Sequence, residues 1–186
     1  MSWAALVDSV LLPLRVSARL GIVQPPADSH DWRYRSFAQL LLAEGAVFGD
    51  RVAVPAGQHG QPGQCFANAR AFSDAQDLAY VEGWASTARF PLGLEHAWCL
   101  TVDGLVMDPT WPAELGLVYV GLGVSAAYRR SVAAPSLLHP HEDGLALLRH
   151  GLPDPARVEA GVPVPDLPFA PTESARPRRG RRVAGW

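Results

Sequence analysis

Leu94-Glu95-His96-Ala97-Trp98-Cys99-Leu100-Thr101-Val102-Asp103-Gly104-Leu105-Val106-Met107-Asp108-Pro109-Thr110-Trp111 sets an apolar-rich run, an Asp-Gly dipeptide, a second apolar run and an acid before proline in immediate succession. That order reads as a β-hairpin with His96 on one arm and Asp108 on the other. Register decides whether they meet. A two-residue turn at Asp103-Gly104 would pair Asp108 with Cys99 and put the acid on the face opposite His96. A three-residue loop, Val102 to Gly104 with Gly104 left-handed, would pair Thr101 with Leu105 and Trp98 with Asp108. His96 and Asp108 then become diagonal neighbours on one face, so an odd-length loop is the expectation.

Upstream, Gly63-Gln64-Cys65-Phe66-Ala67-Asn68-Ala69 places a cysteine where a Gly/Pro/Gln-rich stretch from Gly49 to Gln64 gives way to a helical pattern. A stretch that long without periodicity is uncommon in a compact domain unless it serves a site. Phe66, Ala69, Phe72 and Ala75 form the apolar pattern of the helix, which puts Cys65 in the first turn. There the unpaired amides and the helix dipole favour a thiolate and can later hold an oxyanion. Cys65, His96 and Asp108 follow one another as nucleophile, base and orienting acid. Gln64, Gln61 and the Trp32 indole are candidate side-chain donors to an oxyanion, and Arg89 is a candidate substrate contact.

Around these elements the chain reads as follows. Trp3 to Leu20 is an amphipathic helix broken by Pro13 and ended by Pro25-Pro26; Phe37, Leu40, Leu41 and Leu42 mark a second helix, with Ser36 as N-cap and Gln39 at the capping-box position. Leu78 to Trp84 is a strand and Ala85 to Leu92 a loop. Leu117 to Val120 is a further strand, Ser125 to Arg130 a helical turn, and Asp143 to His150 a helix stopped by Gly151. Residues 1–162 are read as one domain, and 163–186 as a disordered Pro/Arg-rich tail.

Composition narrows the chemistry. The 186 residues are 48% hydrophobic and 18% charged, with a net charge of -2, the balance of an ordinary globular chain rather than one that coats nucleic acid. Every basic side chain is arginine, which excludes a lysine nucleophile or Schiff base. Two cysteines are too few for a secreted disulfide framework, and no apolar run reaches the roughly 18 residues of a membrane span. The apolar N-terminal stretch carries Asp8 and lacks a basic start, so no signal peptide is read and a cytoplasmic protein is expected.

Gly63-Gln64-Cys65, His96-Ala97-Trp98 and Asp108-Pro109-Thr110, with Tyr80-Val81-Glu82-Gly83-Trp84 before the histidine, resemble the transglutaminase-like superfamily over about residues 60 to 121. The resemblance implies an α+β fold with a papain-like core, the nucleophile helix packed on an antiparallel sheet. It also implies acyl transfer or amide hydrolysis through a thioester, a peptide or protein amide as substrate, and no cofactor. Each residue also has a plainer reading: Cys65 as a small buried hydrophobe, His96 as a core histidine, Asp108 as a turn-former. Their shared order and flanks favour the triad. The alternatives are a catalytically silent domain that binds peptide in the same groove, and a zinc module built on His59, Cys65, His96 and Cys99. The alternation of a strand sends His96 and Cys99 to opposite faces and weighs against zinc.

Overall fold

The computed structural model of the chain describes residues 2–20 and 31–165, in an α+β arrangement whose centre is one antiparallel sheet. In chain order the elements are α1 Trp3–Leu20, α2 Phe37–Glu44, β1 Ala46–Phe48, α3 Cys65–Gln76, β2 Ala79–Thr87, β3 Leu94–Leu100, β4 Val106–Met107, β5 Gly116–Val124, α4 Ala126–Ser131, α5 Glu142–His150 and β6 Val162–Pro163. The strands stand in the order β4-β3-β2-β5-β1-β6.

The sheet buries both faces. Tyr80, Ala97, Cys99, Val120 and Leu122 point toward the helices and join Val10, Leu40, Ala69 and Leu147 in the larger core. Val81, Ala85, Trp98, Leu100 and Tyr119 point the other way and close a smaller aromatic core with Phe48 and Val106. Trp98 fits there because Gly121 lies beneath its ring: a Cβ at that glycine would stand 2.6 Å from the indole. Period-two alternation along β3 therefore assigns His96 to the aromatic side and Cys99 to the helical side.

The hairpin takes the odd-length register. Thr101 N donates to Leu105 O at 3.0 Å, Gly104 N donates to Thr101 O at 2.9 Å, and Gly104 has φ +77. Leu100 pairs with Val106 and Cys99 with Met107, which carries Asp108 opposite Trp98. A left-handed Gly104 lets the loop twist with its strands, which is why three residues are accommodated there.

Several expectations are corrected. Pro13 lies inside a continuous α1, because the burial of Val10, Leu11 and Leu14, worth roughly 1.5–3 kcal/mol each, exceeds the roughly 3 kcal/mol that an interior proline costs. Pro25-Pro26 lie outside the described residues. Ser36 caps α2 through Gln39 N at 3.2 Å, but the Gln39 side chain reaches back to Arg35 N, one residue short of a true capping box. β2 runs on to Thr87 and β5 to Val124, beyond the runs read from sequence, because the two strands pair with each other over that length, Thr87 with Gly116 at one end and Tyr80 with Val124 at the other. In α3 the buried positions are Cys65, Ala69, Phe72 and Ser73, whereas Ala75 is exposed: a repeat of three drifts around a helix of 3.6 residues per turn. The Gly49–Gln64 stretch holds no helix, but Asp50 and Val52 bond both backbone groups of Val106 and so cover the outer edge of β4.

The boundary at residue 162 also moves. β6 pairs with β1 through Val162 and Pro163, Val164 N donates to Gly45 O at 3.3 Å, and the Val164 side chain is buried. Most of the expected tail, 166–186, lies outside the described residues. A chain ending at residue 161 is expected to be less stable than one ending at residue 165 by about 2 kcal/mol, the scale of one buried valine. Urea unfolding of the two chains measures the difference, and equal midpoints would show that β6 adds nothing.

Candidate active site

α3 begins abruptly. Gly63 has φ +78, Gln64 occupies the N-cap without a side-chain cap, and Cys65 is the first helical residue. The first rung of the ladder is Asn68 N to Gln64 O at 2.9 Å, so the amides of Cys65, Phe66 and Ala67 precede any intrahelical partner. Their N–H groups and the positive end of the helix converge where the thiol sits.

Asp108 is held at both oxygens. Oδ1 accepts from Thr110 N at 2.8 Å and Trp111 N at 3.0 Å, an Asx turn across Pro109, which has no N–H to offer. Oδ2 accepts from His96 Nε2 at 2.7 Å and from the Tyr119 hydroxyl at 3.0 Å. Burial, followed by the charge of Asp108, raises the Tyr119 phenol well above its ordinary range, so it remains a donor. Asp108, His96 and Tyr119 are buried, and Thr110 and Trp111 are half-buried.

His96 stands between the acid and the thiol. Since Nε2 is bonded to Asp108, Nδ1 is the ring nitrogen left over, and the Cys65 thiol lies near enough to the imidazole to raise its pKa. Burial disfavours the imidazolium, but hydrogen bonds to Asp108 and Cys65 and the charges of both outweigh it, holding His96 above the ordinary 6.5. The Trp111 ring lies flat on the imidazole, with centroids 3.8 Å apart and planes 15° apart, and fixes its orientation.

β4 is short. Within β3 it pairs only with Cys99 and Leu100, and the chain then turns at Asp108. Asn68 binds the turn to α3: its Nδ2 donates to Thr110 Oγ1 at 3.0 Å and to Gln61 O at 2.8 Å. Gly60 N donates to Pro109 O at 2.8 Å and fastens the approaching loop to the same turn. Helix start, loop and hairpin end are thus locked together.

The other predicted residues divide. Gln64 Nε2 donates to Gln61 Oε1 at 3.0 Å at the mouth of the helix, which keeps both side chains beside Cys65. Trp32 is not among them: Arg149 of α5 covers its ring at 4.9 Å, and it packs against the main core. Arg89 is exposed in the β2–β3 loop. Cys99 is fully buried, with Sγ donating to Ala69 O at 3.2 Å; burial, with the charge of Asp108 adding to it, pushes this thiol strongly up. Among the described residues no group of three or more ligands converges on a metal position. Sequence reading missed Tyr119, Trp111 and Asn68 as site residues. Trp111 adjoins the acid turn and was within reach of it, whereas Tyr119 depends on the register of β5 against β2, which the sequence does not display.

No family model, curated protein or solved structure matches the chain. Asp108→Asn is expected to lower the titration midpoint of His96, because burial still opposes the imidazolium while the carboxylate's charge is gone. The sign for stability follows. A raised folded value means that His96 adds stability in full below about pH 6.5 and loses it as pH climbs through that folded value, so the wild type should exceed Asp108→Asn by most at low pH within the range where Asp108 stays ionised. NMR titration of the imidazole and pH-dependent urea unfolding read the two effects; an unmoved His96 midpoint would refute the assignment.

Proposed function

We propose that the chain is a thiol-dependent amide hydrolase, peptidase or transamidase with a papain-like, transglutaminase-like core. The observation that carries this reading is a buried imidazole bonded through Nε2 to Asp108 at 2.7 Å, with Cys65, the first residue of α3, near enough to raise its pKa. In the proposed reaction Cys65 Sγ attacks the acyl carbon while His96 takes the thiol proton. The tetrahedral oxyanion is held by the Cys65 amide at the helix start, with the Gln61–Gln64 pair beside it. Collapse breaks the acyl–nitrogen bond, and His96 returns the proton to the leaving amine. Water or an amine then attacks the thioester by the same route, regenerating the thiol. Asp108 keeps the ring oriented and stabilises its charged form. A peptide or protein amide is the substrate this chemistry implies, and no step calls for a cofactor.

Support also comes from the contrast between the thiols. Cys65 has a base and unpaired amides; Cys99 has only a carbonyl and a strongly raised pKa. Limiting iodoacetamide at neutral pH is expected to label Cys65 first by peptide mapping, and p-nitrophenyl acetate to leave one acetyl group on Cys65. His96→Ala should slow acetylation by roughly 10²–10⁴-fold, the usual contribution of a general base. Faster labelling of Cys99 in the folded chain would sink the proposal and favour a silent binding domain.

A further inference from the structure

The mechanism leaves one feature beside the triad unused. On the helical side of the sheet lies a cavity of about 280 Å³, walled by Leu14 of α1, Phe37, Ala38 and Leu41 of α2, Phe66 of α3 and Leu138. Two of its lining residues are chain neighbours of the triad: Phe66 follows Cys65 and Glu95 precedes His96. Gly83, which pairs directly with His96, also contributes to the wall.

The cavity offers few free polar partners. Glu82 lines it, yet both of its oxygens are fully engaged: Oε1 accepts from Ser136 Oγ and from Leu138 N at 2.8 Å, and Oε2 from Tyr80 OH and Leu137 N, each at 2.8 Å. The Ser36 hydroxyl is used as the cap of α2. Glu95 stands at the mouth with His139 3.7 Å away, and His139 meets the edge of Phe66. The interior is therefore apolar and its rim carries a carboxylate.

Building on the thiol chemistry proposed above, we infer that this cavity receives the side chain of the acyl group transferred to Cys65 and selects a neutral apolar one, aromatic or branched aliphatic. An apolar cavity of roughly 150 Å³ already holds benzene, so an arylalkyl group fits the larger space here. An anionic side chain would meet the rim carboxylate and find no arginine among the walls, and the His139 imidazole there already faces Glu95.

The test acylates the full chain with the p-nitrophenyl esters of acetate, 3-phenylpropionate and succinate. In each case the Cys65 sulfur–acyl bond forms, the ester C–O bond breaks, the thiol proton passes to His96 and p-nitrophenolate leaves. Each rate is divided by that of free cysteine with the same ester, which removes intrinsic reactivity. The phenylpropionyl rate should exceed the acetyl rate by about tenfold or more, the scale on which apolar pockets discriminate, and the succinyl rate should fall below both. Ala38→Phe, filling the cavity, should bring the first ratio down toward one; Ser17→Phe, at a half-buried lining position, does the same if the first variant does not fold. Equal normalised rates on a chain whose Cys65 is acetylated would overturn the pocket and leave the nucleophile standing. Failure of all three esters to acylate Cys65 would overturn the thiol chemistry and the pocket with it.

Discussion

The bond from His96 Nε2 to Asp108 Oδ2 is the constraint on which the rest of the site depends. Both partners are buried, where an unpaired carboxylate costs several kcal/mol and removing one member of a pair typically costs about 3–5 kcal/mol. Such a carboxylate is tolerable only if its remaining lone pairs are also engaged. Here two backbone amides and the Tyr119 hydroxyl engage them. The Asx turn after β4, together with β3 and β5, thus holds one acid, and its position is set by the sheet as well as by its own turn.

Asp108 shows why a plain reading and a functional one can both hold. Its Oδ1 makes the Asx turn that a residue before proline is suited to make, and its Oδ2 orients the imidazole. The turn ends β4 after two residues, and that early end leaves the edge of β3 beside His96 clear for the start of α3. A longer β4 would continue the pairing of the hairpin toward His96, where Thr110 and Asn68 now join the turn to the cysteine helix. The local preference of one dipeptide therefore decides access to the base.

Much of this was legible because it rests on local chemistry. The Asp-Gly dipeptide and the spacing of apolar residues specify a hairpin, and the requirement that His96 and Asp108 share a face selects the three-residue loop that Gly104 adopts. Gly63 before Cys65 likewise signals the start of α3, and Ser36 that of α2. What escaped reading depends on partners distant in the chain. β1 and β6 are short strands whose pairing, Val47 with Val120 and with Val162, has no periodic signature of its own. Tyr119 sits in an apolar run and Trp32 among polar residues, yet β5 carries the first to Asp108 while α5 holds the second away from it. Pro13 misled because propensity was weighed without the buried face that overrides it.

A second buried carboxylate clarifies the first. Glu82 on β2 faces the helices and accepts two hydrogen bonds at each oxygen, as Asp108 does on the other face. Its donors are two hydroxyls and two amides, none of which takes up a proton near neutral pH. Three of them belong to residues 136–138, so Glu82 fastens the segment that walls the cavity. Asp108 has the same count of bonds but exchanges one neutral donor for an imidazole, a group that changes charge in the neutral range. The difference between a carboxylate that holds a wall and one paired with a titratable ring lies in that single partner, and His96 is also the ring whose pKa the Cys65 thiol raises.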